Sequence, residues 1–516
     1  MKTGDGGRAS SAPQRSILPA LCALLTLSAC HASPAPTAVP PTPNAIRVGQ
    51  LQQTIDNILS EPALARGMWG VSIRAIERDE TLYRQNGQKL MMPGSTLKIV
   101  TLARVAERLG WDYRYRTELE TVGTVVDGTL KGHVVVRGSG DPTLDDWAGS
   151  ATALFNEWAG RLTAEGITRI DGSIIGDDDA FEDNEPGEGW AWDDLSAGYS
   201  AVVSGLQFNE NVAQLLMTPA SSEGGPATFE LRPAFAPVTL DNQTLSAAVD
   251  PEFLRIRPDA LTIRPALRTP VTEVHGLVPF SGGTIVRNVA VSNPTLYFVT
   301  ALRSALLNNG IDVVGPAVDA DDRQPEFDRS AIRIIAEHQS APLSDIARTM
   351  MKVSQNLFAE TLLKTGVYSG FAGNSGTGLE DIVRVLPDWG IAPTDLRMVD
   401  GSGLSRYNLI TADALLAVLT HVWRDDRLRD RFLDTLPVAG VDGTLANRLR
   451  DTAAAGNARA KSGSFSNARA LAGFVQTADG EMVAFSILAN NYGVSPALVD
   501  KATDAVVNAL AQFTRH

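Results

Sequence analysis

Apolar and polar residues alternate in two segments that lie far apart in the chain. Residues 68–84 have the pattern of two short strands around a polar turn. Near the other end, the apolar, β-prone runs 470–477 and 482–489 flank the pair Asp479-Gly480, a strong hairpin signal. We therefore predict one hairpin near each end and expect both to share one antiparallel sheet.

Four segments have the period of about 3.6 residues that amphipathic helices show. They are residues 294–309, 343–363, 411–423 and 498–513. Several of them end near Gly or Pro, as helices do. We expect these helices to cover both faces of the predicted sheet.

Residues 115–290 have a different pattern, in which short β-prone runs such as 132–137 and 261–264 alternate with Gly, Pro and Asp. We expect this segment to form two nested, mainly β insert domains. Residues 47–114 and 291–516 would form the domain that carries them. The predicted fold class is α+β, an antiparallel sheet flanked by helices with two mainly β inserts.

The first thirty residues have the pattern of an export signal, with three basic residues before a short apolar stretch at 17–27. The stretch closes with Leu-Ser-Ala-Cys at 27–30, which resembles the lipobox of bacterial lipoproteins. We expect residues 1–29 to be cleaved and Cys30 to carry a lipid anchor. An ordinary secretory signal with a chance cysteine is the alternative.

Charge and hydropathy restrict the location and the partners. The chain of 516 residues has a formal net charge of −14, and an acidic surface argues against binding nucleic acid. Outside the signal, no apolar run approaches the roughly 20 residues of a membrane-spanning helix. We expect a periplasmic protein held to a membrane by its lipid. The sequence leaves open which membrane holds it and whether it is a homo-oligomer.

The remaining composition adds three expectations. Residues 30–46 are Pro-rich and would form a spacer between lipid and enzyme. Cys22 lies inside the signal, so the mature chain would keep one cysteine and no disulfide. The acidic run 177–179 lacks the spaced ligands of a calcium loop, so we assign no metal, and we assign no cofactor.

Ser95 is the only serine followed three positions later by a lysine, Lys98. Pro93-Gly94 would end the preceding strand, and the apolar run that follows predicts a helix starting near Ser95. Three residues make nearly one helical turn, so the two side chains would share one face. A buried lysine loses its proton more easily and can then deprotonate a serine. We predict Ser95 as the nucleophile and Lys98 as its base.

A serine–histidine–aspartate triad fits the chain poorly. No Gly-x-Ser-x-Gly elbow occurs, and the six histidines lie in no recognisable catalytic setting. Histidines meet their partners in space rather than in sequence, so this alternative is disfavoured and not excluded.

Ser354 and Asn356 form the only Ser-x-Asn in the chain, on a predicted turn before a helical run. Both side chains could point into one cleft, where the hydroxyl relays a proton and the amide holds a substrate carbonyl. Alone, such a pair is more often a helix cap.

Two Lys-(Ser/Thr)-Gly sites remain after removal of the signal. Lys364 lies at the end of the predicted helix that follows Asn356. A basic residue there, followed by glycine, is typical of an ordinary C-terminal cap on the surface. Lys461 opens the C-terminal hairpin instead, and is followed by Ser462, Gly463 and Ser464. There the glycine would let substrate approach the strand, the lysine and Ser462 could bind a carboxylate, and the Ser464 amide could face an oxyanion.

Ser-x-x-Lys, Ser-x-Asn and Lys-(Thr/Ser)-Gly, in this order, resemble the penicillin-recognising serine enzymes. The gap of 256 positions between Lys98 and Ser354 resembles the class C low-molecular-mass penicillin-binding proteins, D-alanyl-D-alanine carboxypeptidases and endopeptidases of peptidase family S13. Four longer strings agree with that branch: 138–144, 206–212, 400–409 and 436–448. The resemblance covers residues 50–512 and leaves the lipobox outside.

The resemblance implies a β-lactamase/D,D-peptidase-like domain that cleaves D-alanyl-D-alanine bonds in peptidoglycan peptides through an acyl-enzyme and is acylated by β-lactams. Ser354 would protonate the leaving amine, and Asn356 would hold the peptide backbone. Amides of Ser95 and Ser464 would bind the oxyanion, and Lys461 would bind the terminal carboxylate together with its neighbouring hydroxyl.

Two alternatives use the same residues. A serine β-lactamase would need fast deacylation, and no convincing Glu loop of the class A type is found. A non-catalytic peptidoglycan-binding protein would be expected to lose one of the polar motif residues, and all of them are present.

Overall fold

The structure is a computed structural model that describes residues 42–182, 186–322, 332–365 and 373–516. The helices within these ranges are α1 (Pro43–Leu59), α2 (Lys98–Leu109), α3 (Ser150–Ala164), α4 (Pro251–Ile256), α5 (Pro294–Asn308), α6 (Leu343–Lys352), α7 (Asn356–Thr365), α8 (Ser375–Val385), α9 (Ala412–Arg424), α10 (Arg429–Thr435) and α11 (Pro496–Gln512). None of these described helices has the length and hydropathy needed to cross a membrane.

The strands within the same ranges are β1 (Met68–Ala75), β2 (Glu80–Gln85), β3 (Arg116–Val126), β4 (Thr129–Gly138), β5 (Arg169–Ile170), β6 (Ile174–Asp177), β7 (Val212–Thr218), β8 (Thr228–Arg232), β9 (Thr239–Ala247), β10 (Leu261–Pro265), β11 (Val271–Pro279), β12 (Ile285–Ala290), β13 (Asp312–Val313), β14 (Ala317–Asp319), β15 (Ile332–Gln339), β16 (Leu396–Arg397), β17 (Leu409–Ile410), β18 (Arg459–Phe465), β19 (Ala468–Gln476) and β20 (Met482–Asn490).

The two predicted hairpins meet in one antiparallel sheet, as expected. Its order among the described strands is β18-β19-β20-β1-β2. β1 pairs along its whole length with β20, so that Ile73 lies opposite Phe485. β18 therefore lies at one edge of the sheet. A short bridge between Arg459 and Val438 covers the start of its outer side, and beyond it that side has no neighbouring strand in the described part of the chain.

The central strands are buried on both faces, which explains why their sequences are almost continuously apolar. Leu471 and Val475 of β19 point into a core formed with α1 and α11. Ala472 and Phe474 alternate with them and point into the opposite core, which includes α2, α6, α7 and α9. Helices therefore cover both faces of the sheet, as predicted.

Further sheets form from the middle of the chain. β12-β7-β8 and β10-β11-β9 make two small sheets, and β3–β6 pair in a larger one. Their shared core is rich in aromatic side chains, and the Phe155 ring meets Phe298 edge to face at 5.3 Å. β13, β14 and β15 join the larger sheet although they lie beyond residue 290. The insert boundaries at 115 and 290 stay a prediction.

Three predicted helices, now α5, α9 and α11, match the structure to within two residues. The predicted helix 343–363 is wrong in one respect, since the structure divides it into α6 and α7. Ser354 between them has a φ of 64°, a left-handed conformation that interrupts the helix. α1 begins at Pro43, inside the predicted spacer.

Candidate active site

Ser95 lies on a tight turn between the main sheet and α2. Residues Gly94–Leu97 form one 3₁₀ turn that runs directly into that helix. The φ of 53° at Gly94 favours glycine at this position. Ser95 is half-buried, whereas its neighbours Thr96 and Leu97 are buried. The turn thus presents a single hydroxyl at the surface of a rigid segment.

Lys98 begins α2 and is completely buried. Its Nζ lies 3.0 Å from Ser95 Oγ, as the spacing of three residues predicts. The same Nζ lies 2.7 Å from Asn356 Oδ1 and 2.7 Å from the backbone carbonyl oxygen of Ser402. Three oxygens therefore surround the amine, and one of them belongs to the predicted nucleophile.

Burial lowers the pKa of Lys98 to about 7, because the low dielectric disfavours the ammonium form. The negative charges of Glu360 and Asp400 oppose that effect and favour the proton. An amine with this pKa is available in its neutral, basic form near neutral pH, which suits general-base catalysis.

The structure brings Asn356 to Lys98 from the first residue of α7. Its Oδ1 accepts the hydrogen bond from Lys98, and its Nδ2 donates to the backbone carbonyl of Tyr199 at 2.9 Å. This second contact fixes which end of the carboxamide faces the lysine. Tyr199 comes from the segment between β6 and β7 and was not found from the sequence.

Lys461 on β18 is also completely buried, and its Nζ lies 2.9 Å from Ser354 Oγ. It also donates to the carbonyl of Ser462 at 2.8 Å. Burial lowers the pKa of Lys461 well below its ordinary value, and the neighbouring charge of Lys98 adds to the effect. The two lysines thus lie close enough to influence each other, each next to its own serine.

Ser462 follows Lys461 on the edge strand and is half-buried. Its hydroxyl donates a hydrogen bond to Thr444 Oγ1 at 2.8 Å. Thr444 was not singled out from the sequence, although it lies within the string 436–448 that carries the family resemblance. Ser464, two residues further along β18, is exposed.

Glycines let three backbone segments converge on the turn of Ser95. A methyl group added to Gly463 would come within 2.2 Å of the Pro93 carbonyl oxygen, and one added to Gly94 within 2.8 Å of the Ser464 amide nitrogen. Gly403, with a φ of 81°, approaches the Gly94 carbonyl just as closely. Gly463 therefore allows the close approach of the protein's own turn, and the approach of substrate that we predicted at this glycine stays a prediction.

The loop 400–403 carries the Ser402 carbonyl, and two buried acids hold it. Glu360 accepts hydrogen bonds from the amides of Gly401 at 3.0 Å and Ser402 at 2.7 Å. Asp400 accepts from the amide of Gly403 at 2.8 Å. Sequence analysis assigned a role to neither acid, although Asp400 begins the string 400–409. Glu360 accepts from backbone amides, which no motif displays, and Asp400 also accepts from the distant Trp190 Nε1 at 3.0 Å.

Lys364 lies outside this cluster, as expected, but its predicted position on the surface is wrong. It is in the last turn of α7 and only 8% exposed. Its Nζ donates to the carbonyl of Glu182 at 3.1 Å and lies 5.9 Å from the centre of the Phe181 ring. A segment far away in sequence therefore covers the helix end.

Two further expectations concern other parts of the chain. Cys30 and the signal lie outside the described residues. Carboxylate oxygens of Asp178, Asp319 and Asp321 lie within 4.8 Å of one another. Asp178 is the middle residue of the acidic run 177–179, and it is buried and accepts hydrogen bonds from two hydroxyl groups.

Comparison with known proteins identifies the family of the chain. The model of the D-Ala-D-Ala carboxypeptidase 3 (S13) family matches residues 51–513. A D-alanyl-D-alanine carboxypeptidase of Actinomadura sp. (strain R39) is 32% identical over 100% of this chain and 93% of its own length. The carboxypeptidase DacB of Haemophilus influenzae is 27% identical over 87% of this chain and 89% of its own.

The fold is similar as well. The crystal structure of penicillin binding protein 4 (dacB) from Haemophilus influenzae superposes with a TM-score of 0.76 at 25% identity, covering 90% of this chain and 99% of that chain. The predicted α+β class and the predicted family are thus confirmed. The chain belongs to the D-Ala-D-Ala carboxypeptidase 3 (S13) family.

Proposed function

We propose that the chain is a serine D-alanyl-D-alanine carboxypeptidase and endopeptidase that acts on peptidoglycan stem peptides through an acyl-enzyme on Ser95. β-Lactams would acylate the same serine. The observation that carries this proposal is the distance of 3.0 Å between Lys98 Nζ and Ser95 Oγ, within a completely buried environment for the amine.

The three contacts of Lys98 suit a neutral amine. Such an amine has two N–H donors and one lone pair, and two of its neighbours, Asn356 Oδ1 and the Ser402 carbonyl, can only accept. They take the two N–H groups, so the lone pair points to Ser95 and accepts its hydroxyl proton. Ser95 Oγ then attacks the carbonyl carbon of the penultimate D-alanine.

The backbone around Ser95 supports an oxyanion site. The amides of Ser95 and Ser464 belong to segments that touch through Gly94 and Gly463. Both amides can point at the carbonyl oxygen as it gains negative charge. The edge strand β18 can also pair with an extended peptide, which places the scissile bond beside the nucleophile.

Ser354 is placed to complete the cleavage. Its Oγ accepts a hydrogen bond from Lys461, so its own proton can pass to the leaving amine of the terminal D-alanine while Lys461 gives Ser354 a proton in return. The C–N bond breaks, and the acyl group stays on Ser95 until water removes it. The hydroxyls of Ser462 and Thr444 lie together on β18 and the adjoining loop, where the terminal carboxylate would bind along with Lys461.

Mass spectrometry tests the nucleophile. Penicillin should add its own mass to the peptide that contains Ser95, and Ser95→Ala should abolish the adduct. Ser60→Ala, at an exposed serine on the first helix-to-strand connection, is the matched control and should be labelled normally. Purified stem peptides and cross-linked fragments then show whether D-alanine is released, whether cross-links are cut, or both. Labelling that survives Ser95→Ala would refute the assignment.

The location is a separate proposal that rests on the sequence at 27–30. We infer that the protein is exported to the periplasm and anchored by lipid at Cys30. Cys30→Ala should release the protein from membranes into the soluble fraction with its penicillin binding intact. If the variant stays as firmly membrane-bound as the parent, the lipid anchor is wrong.

A further inference from the structure

Glu360 lies on α7, one helical turn after Asn356, and is buried, with only 5% of its surface exposed. Its two carboxylate oxygens accept hydrogen bonds from the amides of Gly401 and Ser402. The carbonyl of the same Ser402 accepts a hydrogen bond from Lys98. Glu360 and Lys98 therefore contact the same residue, Ser402, the first through its N–H and the second through its carbonyl.

We propose that Glu360 is a positioning residue for Lys98. Its carboxylate holds the N–H of Ser402, the residue whose carbonyl orients the amine, while Asp400 holds the following amide, and the negative charge of Glu360 favours the proton on that amine. This inference rests on the proposed acyl-enzyme function. Glu360 is not a catalytic residue in this proposal, since it touches no reacting atom.

The backbone contacts give the first part of the argument. Two consecutive amides converge on one carboxylate, which fixes the plane of the peptide group between Gly401 and Ser402. Thr101 holds the opposite side of the loop, since its hydroxyl donates to the Gly401 carbonyl at 2.7 Å. Without the carboxylate, two buried amides would lose their acceptor, and such groups turn toward any other partner they can find.

The charge gives the second part. Burying a carboxylate disfavours its ionised form, and the pKa of Glu360 is raised to about 7 by burial first and by Asp400 second. Glu360 and Asp400 both favour the proton on Lys98, whereas burial acts against it. Burial also acts against the charge of Lys461 on β18, and the charge of Lys98 adds to that effect. Removing the charge of Glu360 should therefore lower the pKa of Lys98.

The opposite side of Glu360 faces a cavity of about 1010 Å³ that Asp400 also lines. The other charged residues in the described lining are Asp179, Glu182, Glu188, Asp321 and Lys364. Most of them are acidic. Asp400 is the acid that opposes ionisation of Glu360 most directly, and Lys98 is the cation with which Glu360 interacts.

Two substitutions separate geometry from charge. In Glu360→Gln, one oxygen can still accept both amides, because Glu360 Oε1 already lies 3.1 Å from the Gly401 nitrogen and 2.7 Å from that of Ser402. The charge is lost, together with the second contact of the Gly401 amide, since the glutamine nitrogen takes the place of Oε2. In Glu360→Ala, the charge and both hydrogen bonds are lost.

The experiment measures the rate of acylation by penicillin from pH 5 to pH 9 on the full-length protein. For Glu360→Gln we expect the midpoint of the acid limb to move toward lower pH by less than about one pH unit, because Glu360 itself binds a proton near pH 7 and carries little charge below it. The maximal rate should stay within about threefold of the parent. For Glu360→Ala we expect an acylation rate at least about tenfold below that of the parent at every pH. Asp178→Asn is the control, since it removes another buried carboxylate and should leave the pH profile in place.

Each outcome has a distinct meaning. If Glu360→Gln folds with the acid limb unmoved, or if Glu360→Ala acylates at the parent rate, the proposal for Glu360 is wrong while the proposed function stands. A purely structural role would lower the melting temperature and leave the limb where it is, so that result also overturns it. If the unsubstituted protein forms no adduct on Ser95, the proposed function fails and this inference fails with it.

Discussion

Lys461 Nζ lies 2.9 Å from Ser354 Oγ, although 107 positions separate the two residues in the chain. Ser354 has a left-handed backbone at the break between α6 and α7, and Lys461 lies on the edge strand of the sheet. The contact joins the two walls of the proposed cleft. Removing the charge of Lys461 should therefore affect the rate of the reaction more than the stability of α7 or β18.

Lys461→Ala should lower the rate of acylation by roughly 10²-fold or more, because it removes a positioned donor from Ser354 and from the substrate carboxylate. The rate is measured with a chromogenic or fluorescent β-lactam under single-turnover conditions. Lys364→Ala is the matched control, since it changes the same residue type within the other Lys-(Ser/Thr)-Gly sequence. A large loss of acylation in Lys364→Ala together with a normal rate in Lys461→Ala would overturn the assignment of Lys461 to the site.

The burial of Lys364 changes what that control should show. Lys364→Ala should keep the acylation rate within about threefold of the parent but cost about 1–3 kcal/mol of stability, because the Glu182 carbonyl loses a buried donor. Thermal unfolding followed by circular dichroism measures the loss. An unchanged melting temperature would contradict the buried position.

Ser462→Thr should stay active, because it keeps the hydroxyl that lies 2.8 Å from Thr444 Oγ1. Thr444→Val, which removes the partner and keeps the shape, should weaken substrate binding by about fivefold to tenfold through one lost hydrogen bond. Steady-state hydrolysis of a D-alanyl-D-alanine peptide measures the change in KM. Thr444→Ser is the rescue variant, and equal KM values for all three substitutions would refute a role for this pair.

Acylation should depend on pH through Lys98, whose pKa is lowered to about 7. The neutral amine is the base, so the rate should rise with pH through about 7 and level off above it. Below that value the amine binds a proton, and the rate should fall about tenfold per pH unit. A profile that is flat from pH 5 to pH 8 would exclude Lys98 as the base. Lys98→Arg, protonated at every accessible pH, should show no acylation at all.

Gly463→Ala should abolish acylation, because its methyl group would come within 2.2 Å of the Pro93 carbonyl oxygen and push β18 away from the turn of Ser95. We expect a loss of roughly 10²-fold or more, since small displacements of reacting groups are costly. Gly493→Ala is the control, as nothing lies within 4 Å of the added methyl group. Normal labelling of Gly463→Ala would show that the two segments do not meet.

Much of the fold could be predicted because local signals and tertiary structure agree. The Asp479-Gly480 turn and its flanking apolar runs form a hairpin whatever the rest of the chain does, and the structure has strands at 468–476 and 482–490. The spacing of Ser95 and Lys98 likewise determines their contact within one turn of helix. Such predictions need only neighbours in sequence.

Other features depend on partners that the sequence does not show. The acceptor role of Glu360 involves amides 41 and 42 positions away, and the cover over Lys364 comes from residues 182 positions away. The helix predicted through 343–363 failed at Ser354 because side-chain periodicity continues across a backbone break. Burial and backbone conformation at these points are set by packing, which hydrophobic periodicity alone does not report.

The hydrogen bond from Asn356 Nδ2 to the Tyr199 carbonyl has a consequence for any attempt to shorten the protein. Tyr199 lies within residues 115–290, which we predict to be inserted, so excising them to obtain a minimal enzyme would leave the Asn356 carboxamide free to rotate. A half-turn would exchange its oxygen and nitrogen, and Lys98 would then face a donor where it now has an acceptor. The segment that carries Tyr199 therefore cannot be removed without losing control over which end of the Asn356 amide faces the lysine.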